Sequence, residues 1–174
     1  MRSFAEIANE CGTDKQSGCG YGPHYEAHVF PYVPRDTRSV ILELGVSGGG
    51  SLRMWEELYP YCTKITGVDI DPKCLTCASD RSRVLIGDQS DQDFLRRAAD
   101  PPPDLVVDDG SHELRDVITS FAALWSIVKS IYVIEDIWDE FLPIVERRVR
   151  ITDAHVTVCP SSSPRRFILF ARKL

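Results

Sequence analysis

From residue 40 onward the chain repeats one unit: a short apolar run, an acid where the run stops, then an amphipathic or turn-rich stretch. The runs are residues 40–44, 64–69, 83–86, 105–107 and 131–134. The acids that close them are Glu43, Asp69, Asp88, Asp108 with Asp109, and Glu135 with Asp136. Between them lie helical patterns at 51–59, where Leu52, Trp55 and Leu58 share a face, at 92–99, and at 114–128. Pro72 suits the first turn of a short helix, and Ser90 or Asp91 is placed to cap the helix that follows. Such alternation predicts a mostly parallel sheet with helices on both faces, a Rossmann-like α/β fold. The rhythm breaks at the end, where 149–158 and 166–171 read as strands joined by the turn-rich CPSSSPR, a C-terminal antiparallel hairpin.

The first unit, VILELGVSGGGSL, sets the ligand side. A buried strand, a glycine turn containing Gly45, and a helix opening at Ser51 bring backbone N–H groups to polar or anionic ligand atoms. Glu43 at the strand's end is no phosphate binder. It suits hydroxyls or an amino group, as carried by a nucleoside amino acid such as S-adenosylmethionine. Ligands of open α/β sheets bind at the carboxyl ends of the strands, where an acid about 20 residues past the glycine turn receives ribose hydroxyls. Asp69 has that place, with Asp71 its close rival, and Asp88 with Gln89 is placed to read an adenine edge.

Asp109, Glu135 and Asp136 fall on neighbouring strands. With no evident cluster of Lys or Arg to offset them, their mutual repulsion calls for a hard cation such as Mg²⁺, which prefers oxygen ligands. His112, three residues past Asp109 in DDGSH, is placed to take a proton from a substrate hydroxyl.

Composition narrows the partners. A net charge of −6 with no basic block opposes nucleic acid. No apolar segment approaches the roughly 20 residues of a membrane span, and the first residues lack a signal core, so a cytoplasmic protein is expected. Arg147, Arg148 and Arg150 read as a solvated helix end. The six cysteines are expected to be reduced thiols, and the single CxxC, Cys74 and Cys77, lacks the second pair a structural zinc site needs. At 174 residues the chain is expected to form one domain, with residues 36–174 as the core and 1–35 lying across the cofactor site.

Taken together, ELGVSGGGSL, GDQSD, DDGSH and YVIED resemble the metal-dependent O-methyltransferases that methylate sugar hydroxyls of macrolide antibiotics, and the related cephalosporin hydroxylase-like proteins. The early CGTDKQSGCGYGPHYE is similar to the same family's GTDK segment, so the likeness spans residues 11 to about 138. The resemblance implies a class I methyltransferase fold. It implies S-adenosylmethionine touched by Thr13, Glu43, Gly45, Ser51, Asp69, Asp88, Gln89 and Asp109, and Mg²⁺ or a similar cation on Asp109, Glu135 and Asp136. It implies His112 as general base, and a small-molecule acceptor with a hydroxyl, a sugar or glycosylated natural product. Self-association into a homo-oligomer is an expectation of the same kind. The alternative is a protein that binds S-adenosylmethionine without transferring methyl. A nicotinamide dehydrogenase is disfavoured because the glycine spacing departs from GxGxxG and leaves the later acids without a task.

Overall fold

The computed structural model describes residues 2–174. Seven strands form one sheet in the order β3-β2-β1-β4-β5-β7-β6. β1 (Val40–Leu44), β2 (Lys64–Asp69), β3 (Ser82–Ile86), β4 (Leu105–Asp108) and β5 (Ile131–Trp138) run parallel to one another. β7 (Arg166–Lys173) is antiparallel to β5 and to the edge strand β6 (Ala154–Pro160). Successive strands build outward on both sides of β1, so the order reverses between β1 and β4, the place where such sheets open a crevice.

Helices cover both faces, and the pleat decides which residues meet which helix. Ile41, Ile65, Leu105, Val107, Ile131, Val133 and Phe170 face α4 (Gly50–Leu58) together with the N-terminal helices α1 (Phe4–Cys11), α2 (Asp14–Ser17) and α3 (Gly22–His28). Leu42, Leu44, Val106, Tyr132, Ile134 and Leu169 face α5 (Gln92–Ala98), α6 (Leu114–Leu124) and α7 (Leu142–Arg150). The alternation of one strand between two cores is the period-2 pattern of a doubly covered sheet.

The N-terminal helices have no core of their own. Phe4, Ile7, Tyr25 and Val29 are buried against Trp55 and Phe170, with the Phe4 and Tyr25 rings stacked at 5.0 Å. Ser3 starts α1 with a reciprocal capping box to Glu6, and Gly12 ends it in the left-handed region at φ 71°. The segment is thereby laid across the carboxyl edge of the sheet.

Three expectations change. Residues 149 and 150 belong to α7, because Val145 and Val149 share a buried stripe and Arg150 pairs with Glu146 one turn back; β6 begins only at Ala154. The helix from Leu114 stops at Leu124 rather than 128. The strand opened by Ile131 continues past its acids to Trp138, through a bulge in which Glu135 and Asp136 together stand opposite Ile168. Of the two candidate caps for α5, Asp91 is the one that accepts the Phe94 N–H. The CxxC lies on a 3₁₀ turn, Pro72–Cys77, and all six cysteines are free. Among the described residues no helix is long and apolar enough to cross a membrane.

Candidate active site

The expected site residues meet along the carboxyl edge on both sides of the β1–β4 crevice, but they are held in two different ways. Gly45 ends β1 at φ 90°, and a side chain there would meet the Asp109 carbonyl at 2.0 Å. Its lack of a Cβ therefore serves the close approach of the β1 turn to the β4 turn, which brings the two halves together.

On the β1–β3 side the acids are fixed by backbone N–H groups. Asp69 Oδ2 accepts from Val46 (2.8 Å) and Ser47 (3.1 Å), and Oδ1 accepts from Asp71 (2.9 Å). Burial works to raise its pKa, but these three donors outweigh it and hold the carboxyl below its ordinary range. Asp88 is exposed and lowered mainly by the Ser90 backbone N–H at 2.7 Å. Gln89 spends its amide internally: Nε2 donates to Asp108 (3.1 Å) and Oε1 accepts from Ser111 N–H (2.8 Å), tying β3's end to the DDGSH turn. These groups line a cavity of about 310 Å³ with Gly45, Asp109 and Gly110. A second cavity of about 320 Å³ shares Gly45, Ser47 and Asp109 with it and is lined by Thr13, Gly50 and Ser51.

On the β4–β5 side the acids are held by side chains of the N-terminal segment. Lys15 is buried, with Nζ 2.6 Å from Asp109 Oδ2, 2.6 Å from Glu135 Oε2 and 3.4 Å from Glu43 Oε1. Burial alone would lower its pKa, but the carboxylates of Asp109, Glu135 and Glu43 overcome that and keep it charged. Glu43 also accepts from Ser51 Oγ at 2.7 Å, and burial raises its carboxyl against the pull of Lys15. Tyr25 donates to Glu135 Oε1 (2.5 Å), and Tyr21 donates to Asp136 Oδ1 (2.5 Å). Arg166 closes the far side, 2.6 Å from Asp136 Oδ2.

The sequence reading had no counter-charge for these acids, and that is corrected: Lys15 and Arg166 are the counter-charges. Lys15 comes from 94 residues before Asp109, so a search for a local basic cluster passes over it. Its signal in the sequence was the GTDK segment itself. Glu43, Asp109, Glu135 and Asp136 are four carboxyl groups set against two cationic side chains, and burial pushes Glu135 well above its ordinary range against the pull of Lys15.

The atoms that converge as candidate cation ligands come from Asp109, His112 and Asp136, all within 4.8 Å of one another. Glu135, expected beside them, lies outside that group; both its oxygens are held, by Tyr25 and Lys15, as both of Asp136's are by Tyr21 and Arg166. His112 Nε2 lies 3.9 Å from Asp109 Oδ1. His112 and Asp136 both hold left-handed backbone, φ 58° and 52°, which non-glycine residues adopt only where the surroundings impose it. Asp108, one residue from Asp109, points to the other face of the sheet. There it accepts from Tyr132 (2.9 Å), Gln89 and Ser120, and burial pushes it up to about 6.

No protein-family model matches the chain. It is similar to the mycinamicin VI 2''-O-methyltransferase of Micromonospora griseorubida, 42% identical in an alignment of 134 residues that covers 71% of this chain and 33% of that one. It is also similar to the 8-demethyl-8-alpha-L-rhamnosyl tetracenomycin-C 2'-O-methyltransferase of Streptomyces olivaceus, 36% identical over 151 residues, 80% of this chain and 39% of that one. Its fold superposes on the MycE methyltransferase in complex with Mg, SAH and mycinamycin VI. That match has a TM-score of 0.81 and 30% identity, covering 99% of this chain and 55% of the other. The chain thus spans about a third of the length of the curated relatives it matches.

Proposed function

We propose, from the premise that this chain is a relative of the sugar O-methyltransferases in sequence and in fold, that it transfers the methyl group of S-adenosylmethionine to a hydroxyl of a small molecule. A sugar or glycosylated natural product is the proposed acceptor, and a divalent cation such as Mg²⁺ the proposed partner of the reaction. The observation that carries the reading is the position of Asp109. It lines both cavities and also belongs to the Asp109–His112–Asp136 cluster, so donor crevice and acid cluster meet at one residue.

The residues present fit both groups. For the donor, the adjoining cavities offer fixed polar groups: Asp69 with its lone pairs beyond the turn, the exposed Asp88, and Thr13 at the opposite wall. For the cation, Asp109 and Asp136 are oxygen donors suited to a hard ion, set beside one another at the edge of the buried carboxyl cluster. Asp109 and Asp136 would hold it, Asp136 by sharing or giving up Tyr21 or Arg166, and Glu135 would join by giving up Lys15 or Tyr25. Bound there, a divalent ion supplies Lewis-acid polarisation of a hydroxyl, and S-adenosylmethionine supplies an electrophilic methyl.

The chain's own part is then positional. His112, beside Asp109 and partly exposed, accepts the proton of the acceptor hydroxyl. The Gly45–Asp109 contact fixes the distance between the donor crevice and the acid cluster, and holding the reacting atoms in line supplies most of the rate gain.

The test is release of demethylated cofactor with a panel of glycosylated acceptors, with and without a chelator. His112→Ala and Asp109→Ala are expected to abolish turnover, Asp109→Ala also weakening cation binding. Full activity in both variants would overturn the assignment. Calorimetric binding of S-adenosylmethionine with no turnover of any acceptor would favour a binding protein instead.

A further inference from the structure

Away from the acid cluster, the sheet's outer edge carries a second group of metal-ligating side chains. His24 and His28 stand one turn apart on α3, on the same stripe of the helix. Cys159 comes from β6, the edge strand, far away in sequence. One ring nitrogen of each histidine and Cys159 Sγ lie within 4.8 Å of one another. His24 Nε2 is 3.2 Å from the Pro160 carbonyl, which steadies that ring against the strand bearing Cys159. The His28 ring packs 5.1 Å from Phe170, fixing it from below. Two imidazoles and a thiol are borderline-to-soft donors, the opposite of the all-oxygen preference of Mg²⁺.

We propose that His24, His28 and Cys159 form a binding site for a transition-metal ion of the Zn²⁺ type, which staples α3 to the C-terminal hairpin. On binding, Cys159 gives up its thiol proton to solvent and the sulfur bonds the ion, while the two imidazoles bind as neutral rings. His155 is no fourth ligand. It lies four residues up the same strand from Cys159, about 13 Å away by strand geometry. The fourth position is therefore open to water or to an added ligand.

The site has a mechanical consequence. α3 carries Tyr25, which holds Glu135, and follows Tyr21, which holds Asp136. A bound ion would clamp the helix that steadies two of the acids without touching them.

The experiment uses Co²⁺ as a spectroscopic stand-in for Zn²⁺ on the full chain, followed by Zn²⁺ competition. One equivalent is expected to give a sulfur-to-cobalt charge-transfer band in the near ultraviolet that Zn²⁺ abolishes. Cys19 Sγ lies 3.8 Å from Asp136 Oδ1, so Cys159→Ser is the variant that separates the two sites. Cys159→Ser should remove the band, and His24→Gln and His28→Gln should each weaken Co²⁺ binding at least tenfold. His24→Gln, at a half-buried position, keeps the test available if Cys159→Ser does not fold. Absence of a thiolate band in the unaltered chain overturns the site. So does a band that survives Cys159→Ser, which would come from Cys19 or from Cys74 and Cys77, or affinity unchanged by His24→Gln.

Discussion

The two sides of the crevice hold their acids by opposite means. On the β1–β3 side, Asp69 and Asp88 are fixed by backbone N–H groups from within two residues or from the adjoining turn. On the β4–β5 side, Asp109, Glu135 and Asp136 are fixed by Lys15, Tyr21, Tyr25 and Arg166, all distant in sequence. The first arrangement is local and open to a cavity, while the second is buried and depends on the N-terminal segment being in place. A site assembled this way can keep its donor crevice while losing its acid cluster, but the reverse is harder, because Gly45 packs directly on Asp109.

The sharpest way to break the comparison is Lys15→Met. Removing the buried cation that touches Asp109, Glu135 and Glu43 leaves these buried groups without it, with an expected loss of about 3–5 kcal/mol. Denaturant unfolding measures it, and added Mg²⁺ should restore part of the loss. A cost under about 1 kcal/mol would mean that the acids do not depend on the N-terminal segment.

A smaller effect is expected on the other side. Asp69→Asn turns an acceptor into an N–H₂ facing backbone donors, at a cost of about 1–3 kcal/mol. S-adenosylmethionine binding should fall about tenfold while the Tyr–carboxylate contacts persist. Because Asp69's folded pKa is lowered, its contribution is complete above the ordinary carboxylate range and is lost as pH falls through the lowered value. Asparagine should flatten that acid-side slope, and an unchanged slope would remove Asp69 from the role of turn organiser.

The smallest effect concerns Cys74, whose Sγ donates to the Ser47 carbonyl at 3.4 Å beside the same turn. Burial first, then Asp69, pushes its thiol up to about 11. At pH 8 only about one molecule in a thousand carries the thiolate, so alkylation should be slow and rise about tenfold per pH unit until near that value. Mass spectrometry of alkylated peptides follows it. Fast labelling of Cys74 at neutral pH would mean that the turn opens.

The five parallel strands and the glycine turn were legible because each carries its own signal within a few residues: an apolar run, an acid, a glycine that only a close approach explains. β1 and β2 have the bounds read from the residues. The features that escaped depend on contacts across the chain. α7 was partly hidden, since Val145 and Val149 show their shared face only once α6 and the sheet supply a core to bury it. The role of Lys15 needed the whole N-terminal segment folded over the sheet edge. The contacts of Glu135 with Tyr25 and Lys15 join residues more than a hundred positions apart and leave no mark in composition. The His24–His28–Cys159 group was missed for the same reason, as its third member lies on a different element.

The bulge in β5 acts as a phase shift in a two-residue repeat. Before it, odd-numbered residues face α3 and α4; after it, Ile137 already faces α6 and α7. Removing one residue at 135 or 136 would restore strict alternation with the β5–β7 register intact, at the loss of one of the two acids that the bulge sets side by side opposite Ile168. Point substitutions in this strand can be tolerated singly, but its length has a reading frame. Insertions and deletions should therefore be tolerated less well here than single substitutions.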